Sequence, residues 1–231
     1  MPNLKKGVNM FATCSDTRNL GTGLTTFTTN MPVLEDGTQM FDGDYYLTTF
    51  KSDLSSLVCG TYMFSGCENL TTFDSDLSSL VEGSDMFSSS GLVNFNVKEL
   101  PELNSAYSMF SRTGIKEFTT NVPKLVYAYQ MFAGCPIESV ICDMSELRDA
   151  AMMFRNVNNT LKKLYVRFDN LISGHQMIST YNPLDVDSFM YIADSINDLV
   201  GKGYATWNEE SGYWDYSDNG WNRFEYKQWN G

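Results

Sequence analysis

The sequence predicts an α/β-type repeat solenoid, a right-handed coil in which short strands of successive coils stack into a parallel β-sheet. The first observation is a marker of methionine followed by phenylalanine or another apolar residue, which recurs at intervals of 30, 23, 23, 23, 22, 22 and 24 residues. The marker methionines are Met10, Met40, Met63, Met86, Met109, Met131, Met153 and Met177. A period of this length is typical of a solenoid, because each coil buries its apolar residues only by stacking on its neighbours.

The second observation is that four positions between the markers are apolar from coil to coil. They begin at Leu47, Phe50, Leu54 and Leu57 and return in the same order in the later repeats. The first of these columns comprises Leu47, Leu70, Leu92, Ile115, Ile137 and Leu161, and the second comprises Phe50, Phe73, Phe95, Phe118, Val140 and Leu164. The columns predict one continuous core along the stack.

Each coil is expected to form one short strand at the second apolar column. That residue and the one two positions later point inward, since side chains alternate along a strand. The later inward residues are Ser52, Ser75, Val97, Thr120, Cys142 and Val166. A small residue also precedes most marker methionines by three positions, as at Gly37, Gly60 and Ala106, which predicts tight packing or a constrained turn.

The outward residues of these strands are the leading candidates for binding, and we call them the strand face. They vary from coil to coil while the inward columns repeat, which is consistent with a tailored binding strip or with unconstrained drift. The candidate residues are Thr49, Lys51, Thr72, Asp74, Asn94, Asn96, Glu117, Thr119, Ile141, Lys163 and Tyr165.

Three segments are predicted along the chain. Residues 1–182 form the solenoid, with about seven to eight coils of 22–24 residues and a longer first coil. Residues 183–203 are expected to form a capping helix, because Phe189, Ile192 and the apolar residues after them follow helical spacing. Residues 204–231 hold all four tryptophans and predict a small aromatic β tail of three short strands joined by two hairpins.

The chain begins within a repeat, since residues 1–11 align without a gap to residues 31–41. Solenoids need capped ends for solubility, so we expect a fragment or a domain of a longer chain. The sequence shows no signal peptide and no apolar run of the roughly 18 residues that a membrane span requires. A monomer and a stack on another chain both remain open.

Charge and cysteine content restrict the classes of partner. The net charge of −12 disfavours nucleic acid and anionic lipid, because both attract lysine and arginine. Cys14, Cys67 and Cys135 fall at one repeat position, in coils that lie too far apart for a disulfide. We therefore expect these thiols to pack as small buried side chains.

No recognised catalytic arrangement occurs in the sequence, so we expect a protein that is not an enzyme and has no metal or cofactor. His175, the only histidine, aligns with Ser84 at a surface turn. Carboxylate pairs such as Asp42 and Asp44 could serve a glycosidase, but a solvated acidic face is the simpler interpretation. A calcium site within 209–218 lacks a recognisable loop pattern.

The repeat resembles the BspA-like leucine-rich repeat family of bacterial and phage-encoded surface proteins over roughly residues 1–178. The residues that carry the likeness in one coil are Phe64, Cys67, Leu70, Phe73, Leu77 and Leu80. Departures are the methionine before each phenylalanine, serine or threonine at the second strand position, and the absence of cysteine from several coils. The resemblance implies a leucine-rich-repeat-like solenoid on a bacterial surface or a virion that mediates adhesion or partner binding, without a shared catalytic site.

Three functions are therefore expected, in order of preference. The first is a non-catalytic binding module that holds a protein partner, or a cell-surface glycan, through the strand face. The second is carbohydrate or cell-wall binding through the tail tryptophans Trp207, Trp214, Trp221 and Trp229, since flat aromatic faces suit sugar rings. The third is a phage tail or other structural component. The tryptophans could instead pack as a cap, and neither nucleic acid nor membrane insertion is expected.

Overall fold

The structure, a computed structural model, describes residues 1–12, 23–157, 160–161, 163–167, 170–173 and 177, and the backbone of four further strands between 189 and 228. Each described coil contributes one short strand. The strands are β1 (Thr26–Phe27), β2 (Thr49–Phe50), β3 (Thr72–Phe73), β4 (Asn94–Phe95), β5 (Glu117–Phe118), β6 (Ser139–Asp143), β7 (Lys163–Arg167), β8 (Phe189–Ile192), β9 (Ala205–Asn208), β10 (Tyr213–Tyr216) and β11 (Glu225–Gln228).

Strands of successive coils pair in parallel and in register. β1 pairs with β2 and β3 with β4, while β5, β6, β7, β8 and β11 form a five-stranded sheet in that order. Equivalent repeat positions lie opposite each other, as Phe27 lies opposite Phe50. Parallel strands spaced by one repeat are consistent with the predicted solenoid, whereas its handedness and its likeness to leucine-rich repeats stay predictions.

Two further sets of backbone hydrogen bonds join the coils away from the strands. One is a ladder of parallel bridges, four residues before each marker methionine, that joins Lys6, Asp36, Cys59, Glu82, Ser105, Tyr127, Asp149 and Ser173. In the other, the N–H of each marker phenylalanine donates to the carbonyl of the next marker methionine, as from Phe64 to Met86 at 2.8 Å. Successive coils are therefore joined on several sides, which satisfies backbone groups that water cannot reach.

Two columns of phenylalanine rings fill the centre of the stack. The marker rings stack face to face, and Phe64 lies 5.5 Å from both Phe41 and Phe87 between ring centres. The strand phenylalanines form the second column and meet the first edge-on, as Phe50 meets Phe64 at 4.6 Å. Because aromatic pairs favour offset-stacked and edge-to-face arrangements, two interleaved columns let each ring use both. The described side chains of the predicted apolar columns are accordingly buried, except that Phe95 is only partly buried.

The small residue before each marker is explained by the methionine of the next coil. A Cβ atom at Gly37 would lie 2.8 Å from the sulfur of Met63, and one at Gly60 would lie 3.0 Å from the sulfur of Met86. The methionine side chain thus occupies the space that a larger residue would need, which confirms the predicted tight packing. Ala106 occupies the same column and is fully buried.

The interior also contains polar columns that bond to the backbone of neighbouring coils. Ser52 donates to the carbonyl of Thr29 at 2.9 Å, and Thr120 donates to that of Val97 at 2.7 Å. These hydroxyls occupy the inward strand position, as predicted. These bonds account for the hydroxyls of Ser52 and Thr120, since a buried hydroxyl needs an acceptor, whereas the buried Ser75 hydroxyl in the same column has no hydrogen-bond partner among the described residues.

The predicted capping helix is wrong at Phe189–Ile192, which form the strand β8, and the described part of the chain contains no helix. Arg167 of β7 lies opposite Tyr191 of β8, so this segment extends the sheet. Two physical reasons favour a strand. The segment is rich in aromatic residues, and β7 would otherwise present an unpaired edge. The remaining residues of the predicted helix lie outside the described residues.

The C-terminal strands agree with the predicted tail only in part. β9 and β10 pair antiparallel, as the first predicted hairpin requires. β11 instead pairs in parallel with β8, with Glu225 opposite Phe189, so the second predicted hairpin is wrong. β11 therefore forms the edge of the five-stranded sheet, although the sequence predicted it as part of the aromatic tail.

Candidate binding surfaces

The strand face is exposed along the stack, as its alternation with the buried phenylalanines requires. Every candidate from Thr49 to Ile141 is solvent-exposed. The pairing places Ser139 opposite Lys163 and Ile141 opposite Tyr165, so the register of the repeat continues from β6 to β7. The structure thus brings the predicted residues together on one surface of parallel strands.

The chemistry of this surface changes from coil to coil. Thr49 and Thr72 present hydroxyl groups, whereas Asn94 presents an amide that donates to the Thr72 hydroxyl at 3.4 Å. Lys51 and Asp74 carry opposite charges in adjacent coils. Ile141, 46% exposed, adds an apolar contact farther along the stack. Such a mixture suits recognition of an extended polar partner better than burial of one small apolar ligand.

An open hollow of about 450 Å³ lies beside the strand face, and its lining includes Lys51, Ser52, Asp53, Asp74 and Asp76. Two of the carboxylates in this lining accept hydrogen bonds within turns. The backbone N–H of Ser55 donates to the Asp53 carboxylate at 3.0 Å and lowers the pKa of that group. Asp76 accepts the same kind of bond from Ser78 at 2.8 Å. These two carboxylates therefore form Asx turns, and their presence has a structural explanation.

The expectation of a solvated acidic face is wrong for Asp44. This residue is fully buried and occupies the repeat position of Cys67 and Cys135. Asp42, two residues earlier, is only partly buried, and burial raises the pKa of its carboxyl group. The sequence could not distinguish the two environments, because it shows which repeat position a residue occupies and not how the turn orients it.

The described cysteines are free, and three of them are poorly suited to nucleophilic chemistry. The Cys67 thiol donates to the carbonyl of Phe41 at 3.2 Å, and the Cys135 thiol to that of Phe110 at 2.8 Å. Burial raises the pKa of Cys67, Cys135 and Cys142, so these thiols stay protonated near neutral pH. The described residues also contain no group of side chains that could hold a metal ion. His175 and Cys14 lie outside the described residues.

Two of the tail tryptophans are placed opposite each other. Trp207 of β9 is the register partner of Trp214 of β10 in the antiparallel pair. Trp221 and Trp229 lie outside the described residues.

A surface that sequence reasoning missed is formed by Tyr62, Tyr107, Tyr127 and Tyr129, which we call the tyrosine patch. These residues lie near the ladder of isolated bridges and not on the strand face. The first three are 40%, 45% and 50% exposed. The rings of Tyr107 and Tyr129 stack at 4.8 Å, with 21° between their planes. The available signal was positional, because all four precede a marker methionine by one to four residues.

Carboxylates dominate the electrostatic environment of the tyrosine patch. The negative charge of Asp85 is the main cause of a raised pKa at Tyr62. The pKa of Tyr107 is raised first by burial, then by Tyr129, Asp85 and Asp149. Burial in turn raises the pKa of Asp85, although hydrogen bonds from Tyr62 and Ser88 oppose that shift. The phenol rings and the carboxylates thus form one interacting group at the surface.

Comparison with known proteins gives no relative from which a site could be transferred. No family model matches the chain, and neither the curated proteins nor the solved structures contain a match. In the part of the chain that the structure describes, none of the elements is a helix with the length and apolar character needed to cross a membrane.

Proposed function

We propose that this chain is a non-catalytic repeat module that binds a partner protein through the strand face of its stacked coils. The observation that carries the proposal is the contrast within one strand. Phe50 and Phe73 are buried at equivalent positions, whereas the outward residues that follow them, Lys51 and Asp74, are exposed and carry opposite charges. A repeating interior keeps the coils in register, so that changes at the outward positions alter recognition without altering the stack.

The absence of a catalytic assignment supports binding as the main activity. Three of the described cysteines are held protonated by burial, and Asp53 and Asp76 are engaged in turns. The resemblance to BspA-like repeats supports display on a bacterial surface or a virion. In this proposal the chain is one section of an extended surface protein, and the partner lies along several coils at once.

The test is charge reversal on the strand face of the full chain, with binding to whole bacterial cells as the assay. A variant with Lys51→Glu, Asp74→Lys and Glu117→Lys changes three outward positions and is expected to lose most binding. The bound component on the cells should be protease-sensitive. Interfacial charges that are paired and desolvated typically contribute several-fold to more than a hundred-fold in affinity.

A matched control reverses charges elsewhere. Lys124 and Glu102 form an exposed ion pair at 2.7 Å, and the variant Lys124→Glu with Glu102→Lys keeps the pair and the net charge. This control is expected to bind as the unmodified chain does. Equal binding by all three proteins would refute the strand face as the binding surface.

A second candidate function is carbohydrate binding by the tail, which the pairing of Trp207 with Trp214 favours. Tryptophan offers the flat aromatic surface on which sugar rings stack. The variant Trp207→Ala with Trp214→Ala should then lose binding to isolated wall glycans while retaining the protein-dependent binding. Unchanged glycan binding would leave these tryptophans with a packing role.

A further inference from the structure

The tyrosine patch combines two features that suit one class of ligand. Its rings offer flat, partly exposed faces, and the Tyr107–Tyr129 pair forms a platform across two adjacent coils. Tyr62 extends the patch by two coils, and Tyr107 contributes to the electrostatic field at Tyr62. Aromatic faces carry negative electrostatic potential and attract ammonium and guanidinium groups.

The charges that act on Tyr62 and Tyr107 are carboxylates. Asp85 and Asp149 act on Tyr107, and Asp85 and Asp42 act on Tyr62. A cation lies only near the Tyr129 end of the described patch, where the Arg155 guanidinium contacts the sulfur of Met152 at 3.6 Å and the Tyr129 hydroxyl contacts the same sulfur at 3.4 Å. The chain as a whole carries a net charge of −12. A cation placed on Tyr62 or Tyr107 would therefore gain both ring attraction and carboxylate attraction.

We infer that the tyrosine patch is a second docking surface, which receives a segment of a partner protein bearing arginine or lysine. The inference is separate from the proposed use of the strand face, because no residue of the patch belongs to that face. Arginine suits the site particularly well, since its planar guanidinium group can stack on Tyr107 while its N–H groups reach a neighbouring carboxylate.

A neutral sugar is the competing ligand, because sugars also stack on tyrosine and bond to carboxylates. The charge pattern favours the cationic segment over the sugar. A cation can pair with the carboxylates of Asp85 and Asp149 that act on Tyr107, whereas a neutral sugar cannot. The donors available for sugar oxygens are also limited, since the Gln130 amide and the Tyr129 hydroxyl are directed to the sulfur of Met152.

The test measures binding of a fluorescein-labelled nona-arginine peptide to the full chain by fluorescence anisotropy at physiological ionic strength. The variant Tyr107→Ala with Tyr129→Ala leaves the net charge unchanged and is expected to weaken binding about ten-fold, since each exposed ring contributes roughly three-fold. Both side chains are partly exposed, so the variant should fold, which far-ultraviolet circular dichroism checks. The variant Tyr107→Phe with Tyr129→Phe keeps the rings and should retain most of the affinity.

Matched controls separate the patch from general attraction to an acidic protein. Tyr45 and Tyr46 are exposed and form another ring pair at 5.4 Å, and replacing both by alanine should leave peptide affinity unchanged. Asp85→Asn should weaken binding about three-fold, whereas Asp76→Asn removes the same charge elsewhere and should have little effect.

Three results would overturn the inference. One is the absence of peptide binding, and another is an equal loss in the patch variant and the Tyr45/Tyr46 variant. The third is binding of neutral oligosaccharides, tested with maltoheptaose and chitotetraose, that the patch variant abolishes while peptide binding persists. That last result would assign the surface to sugar. Loss of cell binding in the strand-face variant is a separate readout, so the two proposals fail independently.

Discussion

The interior and the outer faces of the stack are built from the same coils but follow different rules. Inside, a residue meets its own equivalent in the next coil, as Phe64 meets Phe87 and Phe50 meets Phe73. Outside, equivalent positions hold unlike residues, such as Lys51 and Asp74. Because the interior residues repeat, the same arrangement of side chains packs the core of every coil. The outer residues are freed from that requirement.

This difference predicts how substitutions rank. A substitution in the interior disturbs both neighbouring coils, because each interior side chain packs between the equivalent residues of the coils on either side. A change outside removes at most a contact in water. The expected losses of folding stability therefore fall from the phenylalanine column through the backbone contacts and polar columns to the surface ion pairs.

The largest effect is expected for Phe64→Ala. The fully buried ring stacks between Phe41 and Phe87 and meets Phe50 and Phe73 edge-on. Its removal should lower the free energy of unfolding by about 4 kcal/mol, from lost burial and the cavity that remains. Urea denaturation followed by circular dichroism measures the loss. A split into two transitions would sharpen the result, because it would show that the coils on either side of Phe64 unfold separately.

Phe11→Ala tests whether stacking on both faces causes the effect. Phe11 occupies the same column but is only partly buried, and it stacks on Phe41 at 5.2 Å. We expect about half the loss, roughly 2 kcal/mol, because less apolar surface is removed from contact. Equal losses at Phe11 and Phe64 would contradict the importance of two-sided stacking.

Gly91→Ala is expected to lower the free energy of unfolding by less than Phe64→Ala does, at a point where the backbones of two coils are in contact. A Cβ atom at Gly91 would lie 2.1 Å from the carbonyl oxygen of Glu68, so one of the two coils must move. The turn is one residue shorter here than in the preceding coil, with one residue between Ser90 and Leu92 where that coil has two between Cys67 and Leu70. We expect a loss of about 3 kcal/mol from this overpacking, measured by urea denaturation.

Gly60→Ala provides the control for Gly91. The nearest atoms at Gly60 belong to the flexible end of Met86, at 3.0 Å, and alanine already occupies this column at Ala106. The methionine can shift, so we expect less than about 1 kcal/mol. A loss at Gly60 as large as that at Gly91 would show that the methionine is as rigid as the backbone.

The glycines also show how far the sequence could be read. Repetition made the tight packing at Gly37 and Gly60 predictable, because the same small residue returned in several coils. The contact at Gly91 was not predictable, since Gly114 has the same one-residue spacing in the next coil but a Cβ atom there would lie 3.3 Å from the nearest backbone atom. The same limit explains Phe189–Ile192: outside the repeat, a short apolar run fits a helix or a strand, and the open edge of β7 decided between them.

The candidate surfaces were predictable to the same extent. The alternation of side chains along a strand, together with the repeat period, predicted that Thr49 and Asp74 point outward, and both are exposed. The tyrosine patch could not be found in this way. Its residues occupy different repeat positions, such as the one before Met63 and the one two before Met109, and only the stacking of coils brings them together.

An intermediate effect, dependent on pH, is expected for Cys67→Ala. The thiol donates to a carbonyl, and its replacement should cost about 1 kcal/mol near pH 7. Burial, followed by the charge of Asp44, raises the pKa of this thiol in the folded state. Above about pH 8.5 the unfolded chain loses a proton that the folded chain keeps. The contribution of the thiol to the free energy of unfolding is therefore fully present below that pH and is lost as the pH rises.

The measurement is the free energy of unfolding against pH for both proteins. Above about pH 9 the slope should be shallower in Cys67→Ala by up to about 1.4 kcal/mol per pH unit, because one raised pKa has been removed. Ser90→Ala is the matched control, since Ser90 occupies the same column and does not titrate in this range. Identical slopes in Cys67→Ala and the unmodified chain would contradict a shifted thiol.

The smallest effect is expected for Lys124→Ala on the outer surface. The ammonium group lies 2.7 Å from a carboxylate oxygen of Glu102 in the preceding coil, but the two side chains are 58% and 48% exposed. Water and salt screen such a pair, so we expect a loss of about 0.5 kcal/mol or less, and less again at high salt. Urea denaturation at two salt concentrations measures the loss. Lys116→Ala removes the longer 3.7 Å pair with Glu138 and should lower the free energy of unfolding by no more than Lys124→Ala does.

A loss above about 1 kcal/mol at high salt would mean that outer contacts hold the coils together, and the outward residues would then be as constrained as the interior. A small loss leaves those positions free to vary with a partner, which is the condition that both proposed docking surfaces require.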